Sequence, residues 1–251
     1  MLRRAALPIA MVDGQPAGRV VSPPNLPSAF DERTFDESYF GTGSNYGGRY
    51  DWYNPGHKIA GYLREIRAVR PRGTLLDAGC AFGRFLERAR AHYACEGMDI
   101  SAFALEGARR RLPGIGLTLG RIEEFRPEAR YDVVTCFDVL EHVPDLDLAL
   151  TRLAALLAPG GILAIAVPVY DSPAGWAFGL LDRDPTHVHR HGRGFWLLRL
   201  AAAGLRPIVR KGILRVPLPA GLFLHVISRA FRSFSSAIFV IAERADSPAR
   251  S

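Results

Sequence analysis

The residues best able to do chemistry begin with Asp77-Ala78-Gly79-Cys80-Ala81-Phe82-Gly83, a carboxylate followed by glycines four apart. Glycine lets the backbone turn tightly and approach a ligand at a helix N-terminus. A dinucleotide-binding turn reads G-x-G-x-x-G. This segment does not, and its acidic residue stands before the glycines, where it would repel a pyrophosphate and attract an ammonium. About 20 residues further on comes Asp99, in Gly97-Met98-Asp99-Ile100-Ser101, a spacing at which a carboxylate accepts both hydroxyl hydrogens of a ribose. Both aspartates have a plainer reading as N-terminal caps of the helices that follow. A third group is Phe137-Asp138-Val139-Leu140-Glu141-His142. His142 titrates near neutrality and suits a general base, against the alternative of a histidine that ties its turn to a neighbouring carbonyl. Glu141 reads equally as a helix cap or an ion-pair partner. Finally, His187, His189 and His191 alternate within Asp184–His191 and would share one face of an extended strand. A metal comes to mind there, but no nearby cysteine or carboxylate pair completes a ligand set, so none is expected.

These residues need elements to hold them. From Gly73 onward, strand-like runs at Thr74–Ala78, Ala94–Asp99, Ile115–Leu119, Tyr131–Phe137 and Gly161–Val167 alternate with helical ones at Arg84–His92, Ala102–Arg111 and Leu146–Leu157. Such alternation predicts parallel βαβ units with right-handed crossovers, hence an α/β, Rossmann-like, doubly wound sheet. Tyr170–Gly194 reads as a long polar loop and Phe195–Ala203 as a helix. Arg206–Val216 and Ala237–Glu243 complete seven strands, mostly parallel with the last antiparallel. The apolar segment Pro217–Phe234, carrying Arg229 and Arg232, is expected to roof a pocket; a place on a membrane surface is the alternative. Ahead of the sheet, Pro55–Val69 has helical spacing. The stretch Phe35–Tyr53 is rich in glycine and aromatic residues, as an ordered lid would be, with Tyr39, Tyr46 and Tyr50 as its candidates. The expected organisation is an arm (1–35), a lid and helix (36–70), the main domain (71–244) and a tail (245–251).

The glycine loop resembles the D/E-x-G-x-G-x-G loop of class I methyltransferases that use S-adenosylmethionine (SAM). The segment from Phe137 to Asp145 resembles the one after strand four in small-molecule members, including the ubiquinone-biosynthesis O-methyltransferases. Leu157-Ala158-Pro159-Gly160-Gly161 resembles their L-x-P-G-G entry to strand five. The motifs occur in the family's order from about Phe35 to Glu243. The resemblance implies SAM as cofactor, with Asp77, Gly79, Ala81 and Gly83 under its methionine part, Asp99 on the ribose and Ile100 beside the adenine. It also implies Ile122, within Gly120-Arg121-Ile122-Glu123, at the adenine, and Phe137 and Asp138 beside the transferred methyl. A D-x-T-H-like loop after strand five implies His187 in the acceptor pocket, with His189 and His191 outside it. Two residues depart from the pattern. Ala81 replaces the usual middle glycine, and Arg121 stands where an acidic residue often meets the adenine amino group; it is read here as a solvated surface charge.

The bulk properties set limits. The 251 residues suffice for one α/β domain with some decoration. Cys80, Cys95 and Cys136 form no C-x-x-C pair, which argues against a zinc ribbon or disulfide framework and for a reduced, cytoplasmic setting. The net charge of +7 is almost wholly arginine, since the lysines are Lys58 and Lys211 alone. The arginines are scattered, no base-flipping motif follows strand four, and no nucleic-acid partner is expected. Residues 1–12 superficially resemble a secretion leader, but Pro8 and Asp13 interrupt the short apolar run. The expected function is methyl transfer from SAM to an oxygen, or a nitrogen, of a small-molecule acceptor, with His142 and His187 as its catalytic residues. The alternatives are a SAM-binding regulatory or partner protein without turnover and, less favoured, a nucleic-acid methyltransferase.

Overall fold

The structure is a computed structural model that describes residues 11–12, 15–16, 33–44, 48–217 and 223–245. Tyr46, most of the arm and tail, and part of the segment between Pro217 and Phe234 therefore lie outside the described residues. A short hairpin pairs Met11–Val12 with Gln15–Pro16. All other strands join one sheet: β1 (Gly73–Ala78), β2 (Tyr93–Asp99), β3 (Gly116–Leu119), β4 (Tyr131–Phe137), β5 (Leu157–Pro168), β6 (Leu205–Pro217), β7 (Phe223–Ser228) and β8 (Ala237–Arg244).

The strand order is β3-β2-β1-β4-β5-β8-β6-β7. Strands β1 to β5 pair in parallel, β8 runs antiparallel between β5 and β6, and β7 is antiparallel to β6. The central strands are apolar on both faces, as a sheet covered by helices on both sides requires. Alternate residues divide between two cores. Leu76, Val134, Leu163 and Ile165 face α5 (Leu146–Ala155) and α7 (Arg193–Ala202), where Leu150, Leu153 and Trp196 are buried. Leu75, Val133, Ile162 and Phe239 face α2 (Gly56–Arg67) and α3 (Arg84–Ala89). The apolar stripe Ile59, Tyr62, Leu63 and Ile66 docks α2, which follows the single turn α1 (Tyr50–Tyr53), on that face.

The chain goes from β1 outward to β2 and β3, then crosses back to β4 beside β1. The C-terminal ends of β1 and β4 therefore frame a switch point, where open α/β sheets bind ligands.

The α/β reading and the antiparallel closing strand hold, with two corrections. Among the described residues the sheet has eight strands rather than seven. The extra one, β7, buries Phe223, His225 and Ile227 and leaves Leu224 exposed, an alternation that the uniformly apolar composition of its surroundings concealed. The supposed polar loop contains α6 (Pro173–Leu181), with Pro173 in its first turn; the Gly175 N–H donates to the Ser172 hydroxyl that caps it (3.0 Å). Among the described residues no helix is long and apolar enough to cross a membrane.

Candidate active site

A cleft of about 1190 Å³, counted out to its open mouth, lies over the C-terminal ends of β1, β2 and β4. Its floor is the turn after β1. Gly79 (φ +83°) and Gly83 (φ +74°) take left-handed conformations, and so does Ala81 (φ +44°), which lacks glycine's freedom there. The Gly79 and Cys80 N–H groups donate to the Met98 carbonyl (2.8 and 3.0 Å), tying the turn to β2. A Cβ at Gly79 would come within 2.2 Å of Val139 Cγ2, so this turn and the one after β4 pack directly on each other.

Asp99 holds the turn from the other side. Its Oδ2 accepts the Ala81 N–H and its Oδ1 the Ser101 N–H, both at 2.8 Å. Neither Asp77 nor Asp99 is a helix cap. Gly83 occupies the N-cap of α3, and Ser101 that of α4 (Ala102–Arg111), where its hydroxyl accepts the Ala104 N–H. Asp77 accepts a hydrogen bond from the Thr135 hydroxyl (2.7 Å). Burial pushes its carboxyl up to about 7, the Thr135 bond opposing and the Asp99 charge adding to the rise. Burial raises Asp99 as well, against the backbone N–H groups that favour its charge. Among the described residues neither carboxylate is paired with a cation, though both line the cleft.

Ile100 and Ile122 line the same side. Arg121 does so too and is not the solvated charge expected of it: its side chain is 22 % exposed and pairs with Glu123 at 3.3 Å. Of the lid candidates, Tyr39 and Tyr50 line the cleft. Tyr39 is buried, donates its hydroxyl to Asp184 (3.2 Å) and meets Phe35 edge-on; Tyr50 meets Phe82 edge-on.

Phe137 stacks on Tyr62, with ring centroids 4.4 Å apart. Beside it Asp138 (φ +55°) is gripped by two cations: Lys58 Nζ on Oδ2 (2.9 Å) and Arg215 Nη2 on Oδ1 (2.6 Å). Burial alone would raise this carboxyl, but Arg215 and Lys58 outweigh it and hold it well below the usual range. Lys58 also donates to Asn54 Oδ1, and Arg215 to the Tyr62 hydroxyl. Sequence reasoning missed Lys58 and Arg215. They lie far from every motif, on α2 and β6, and the one available signal was the scarcity of lysine.

His142, on the turn after β4, lines the cleft, with its ring 4.6 Å from that of His187. Its Nδ1 is 2.7 Å from the Thr186 hydroxyl, whose own proton goes to Asp184 Oδ1 (2.6 Å). The Thr186 hydroxyl is thereby set to accept from the histidine, which places the His142 proton on Nδ1. Burial, with His187 adding, pushes His142 down to about 4. His187 Nδ1 is likewise engaged, by Asp182 Oδ2 at 2.7 Å. Burial opposes a charge on His187, but the Asp182 bond and the Glu141 charge outweigh it and raise this histidine. His189 turns away and bonds the Val143 carbonyl through Nε2, while His191 stacks on Phe195. The alternating histidines thus do not share a face.

Residues 53–210 match the family described as "Methyltransferase domain". The chain belongs to that family. Among the curated relatives of this methyltransferase-family chain is a trans-aconitate 2-methyltransferase from Methylobacterium nodulans, 38 % identical over 112 residues, 43 % of each chain. Another is a ubiquinone biosynthesis O-methyltransferase from Coxiella burnetii, 31 % identical over 132 residues, 45 % of this chain and 55 % of that one. The matches thus span about half the length of these relatives. A SAM-dependent methyltransferase structure from Thermotoga maritima shares the fold, with a TM-score of 0.61 at 15 % identity over 79 % of this chain and 95 % of that one.

Proposed function

We propose that this chain transfers a methyl group from SAM to an oxygen of a small-molecule acceptor, nitrogen being the alternative atom. One observation carries the reading: two buried carboxylates, Asp77 and Asp99, flank a left-handed glycine turn without a cationic partner among the described residues. SAM offers what they lack, an ammonium for Asp77 and ribose hydroxyls for Asp99. Bound there, it supplies an electrophilic methyl on a sulfonium.

The chain's own residues would do the rest. Gly79, Ala81 and Gly83 would give the backbone approach under the methionine part, and Ile100 and Ile122 would lie beside the adenine. Phe137 and Asp138 flank the methyl. Tyr39 and Tyr50 would exclude water, and His142 on the cleft wall, with His187 beside it, would take the acceptor's proton. Positioning would supply most of the rate, since an in-line approach replaces an encounter in solution. Relatives named as an O-methyltransferase and as an N,N-dimethyltransferase keep both oxygen and nitrogen acceptors in the screen.

The test is calorimetric titration of SAM into the full chain and into Asp99→Ala, followed by turnover against hydroxyl, carboxylate and amine acceptors. Two charge-assisted hydrogen bonds at about 1.5–3 kcal/mol each imply a loss of donor affinity of roughly 100-fold or more. No SAM binding by the intact chain would refute the reading. Binding with no turnover on any acceptor would favour a regulatory SAM-binding role.

A further inference from the structure

At His142 the cleft wall backs onto a group of side chains that proton transfer alone does not account for. Glu141, His142 and His187 each present one atom able to bind a metal, and these atoms lie within 4.8 Å of one another. Glu141 is 2 % exposed, and its Oε2 is buried with no hydrogen-bond partner. A buried carboxylate oxygen left unsatisfied is strongly disfavoured unless something occupies the space beside it. The two histidines are prepared in the same manner. Each has Nδ1 held by an outer partner, Thr186 backed by Asp184 for His142 and Asp182 for His187, which leaves Nε2 for a ligand. A carboxylate or hydroxyl on the far ring nitrogen is how metal-binding histidines are oriented.

We propose that Glu141, His142 and His187 form a site for one divalent transition-metal ion, of the zinc or ferrous type. Two imidazoles and one carboxylate suit such ions and leave coordination positions open, whereas magnesium and calcium prefer all-oxygen sites. Bonds of about 2.0–2.2 Å bring tetrahedral ligand atoms to roughly 3.5 Å from each other. The cluster therefore tightens by about 1 Å as the ion enters, within reach of side-chain rotations. Backbone bonds fix the frame: the Val188 and His189 N–H groups both donate to the Glu141 carbonyl, clipping the His187 loop onto the turn that carries the other two ligands.

The ion's role, unlike its binding, rests on the methyltransferase reading. An acceptor hydroxyl on an open position loses its proton to solvent at the cleft mouth more readily than the free hydroxyl does. Its oxygen lone pair then forms the bond to the methyl carbon as the carbon–sulfur bond breaks and the sulfonium becomes a neutral thioether. His142 and His187 are then ligands, not the direct proton acceptors named above, and chelation separates the two roles.

The experiment uses the full chain, stripped with a chelator and dialysed. Zn²⁺ is titrated calorimetrically, and Co²⁺ is followed by its visible absorption, which needs no variant. The expected result is one saturable site per chain with the absorption of a four- or five-coordinate cobalt ion. Zn²⁺ binding should be lost in Glu141→Gln and in His187→Ala, weakened about 10–100-fold in Asp182→Asn, and kept in His191→Gln. Far-ultraviolet circular dichroism and SAM titration on the same variants show that the fold and donor side persist. No saturable Zn²⁺ or Co²⁺ binding to the stripped chain overturns the site, as does binding unchanged in folded Glu141→Gln and His187→Ala. Turnover unaffected by chelation overturns the catalytic role. SAM binding that fails while zinc binds would sink the donor reading and leave the metal site standing.

Discussion

Asp138 makes the sharpest test of how the cleft is held together. Lys58 and Arg215 bond its two oxygens from different elements, and the three side chains are 8, 15 and 18 % exposed for Lys58, Arg215 and Asp138 respectively. The group is thus two cations sharing one anion in a nearly dry place. Asp138→Asn leaves both cations buried without a counter-charge. Breaking a buried ion pair in this way costs about 3–5 kcal/mol. For a chain of this size each kcal/mol lowers Tm by about 2–4 °C, so Tm should fall by roughly 6–20 °C. Lys58→Met acts differently, because it leaves the neutral Asp138–Arg215 pair. Burial already disfavours the lysine's charge, so the expected change is within about 1 kcal/mol. The double variant should be more stable than Asp138→Asn alone, since it removes one of the two uncompensated cations. Urea denaturation at pH 7 and moderate salt reads all three. If Lys58→Met costs as much as Asp138→Asn, or the double variant shows no recovery, the reasoning from net buried charge is wrong.

Asp77 sets a pH dependence. Its carboxyl is raised to about 7 from an unfolded value near 3.8, so the folded state holds the extra proton and this group's contribution to stability falls between about pH 4 and 7. An ammonium-bearing donor selects the ionised form, so SAM affinity should climb from pH 6 to pH 8 and then level off. Asp77→Asn should bind weakly with no such slope, and a slope that survives it would assign the titration elsewhere. Gly79→Ala should destabilise by about 1–3 kcal/mol and weaken donor binding, because its Cβ meets Val139 and its φ is positive; thermal melting and calorimetry check both. Ser172→Ala removes the cap of α6 and a bond to the Ser235 carbonyl, for a loss of about 1–2 kcal/mol in denaturant titration; no change would mean that α6 needs no cap.

The Asp77–Asp99 half of the cleft was legible in the sequence because its determinants are local. A strand, a glycine turn and a helix follow one another between Gly73 and Ala89, and the next strand ends at Asp99, so spacing alone brings the two carboxylates near each other. The cluster around His142 and His187 was legible only in pieces. His142 and His187 were singled out separately, but their meeting depends on the loop after β5 folding back onto the turn after β4, which no periodicity reports. The three alternating histidines suggested a strand face, yet the backbone there is irregular and sends His189 towards Val143 instead. Lys58 and Arg215 were invisible for the same reason, since their common partner lies on a third element. The eighth strand was lost because an edge strand in an apolar stretch shows little contrast between its faces.

Chain order separates the carboxylate-bearing turns from the cluster behind His142. The turn residues, Asp77 and Asp99 all precede β4, whereas Asp182, Asp184, Thr186, His187 and Arg215 all follow it. Substitutions and insertions after β5 can therefore alter the surroundings of the histidine cluster while the turns after β1 and β2 keep their geometry. A chain built this way can revise one of these groups of side chains without disturbing the other.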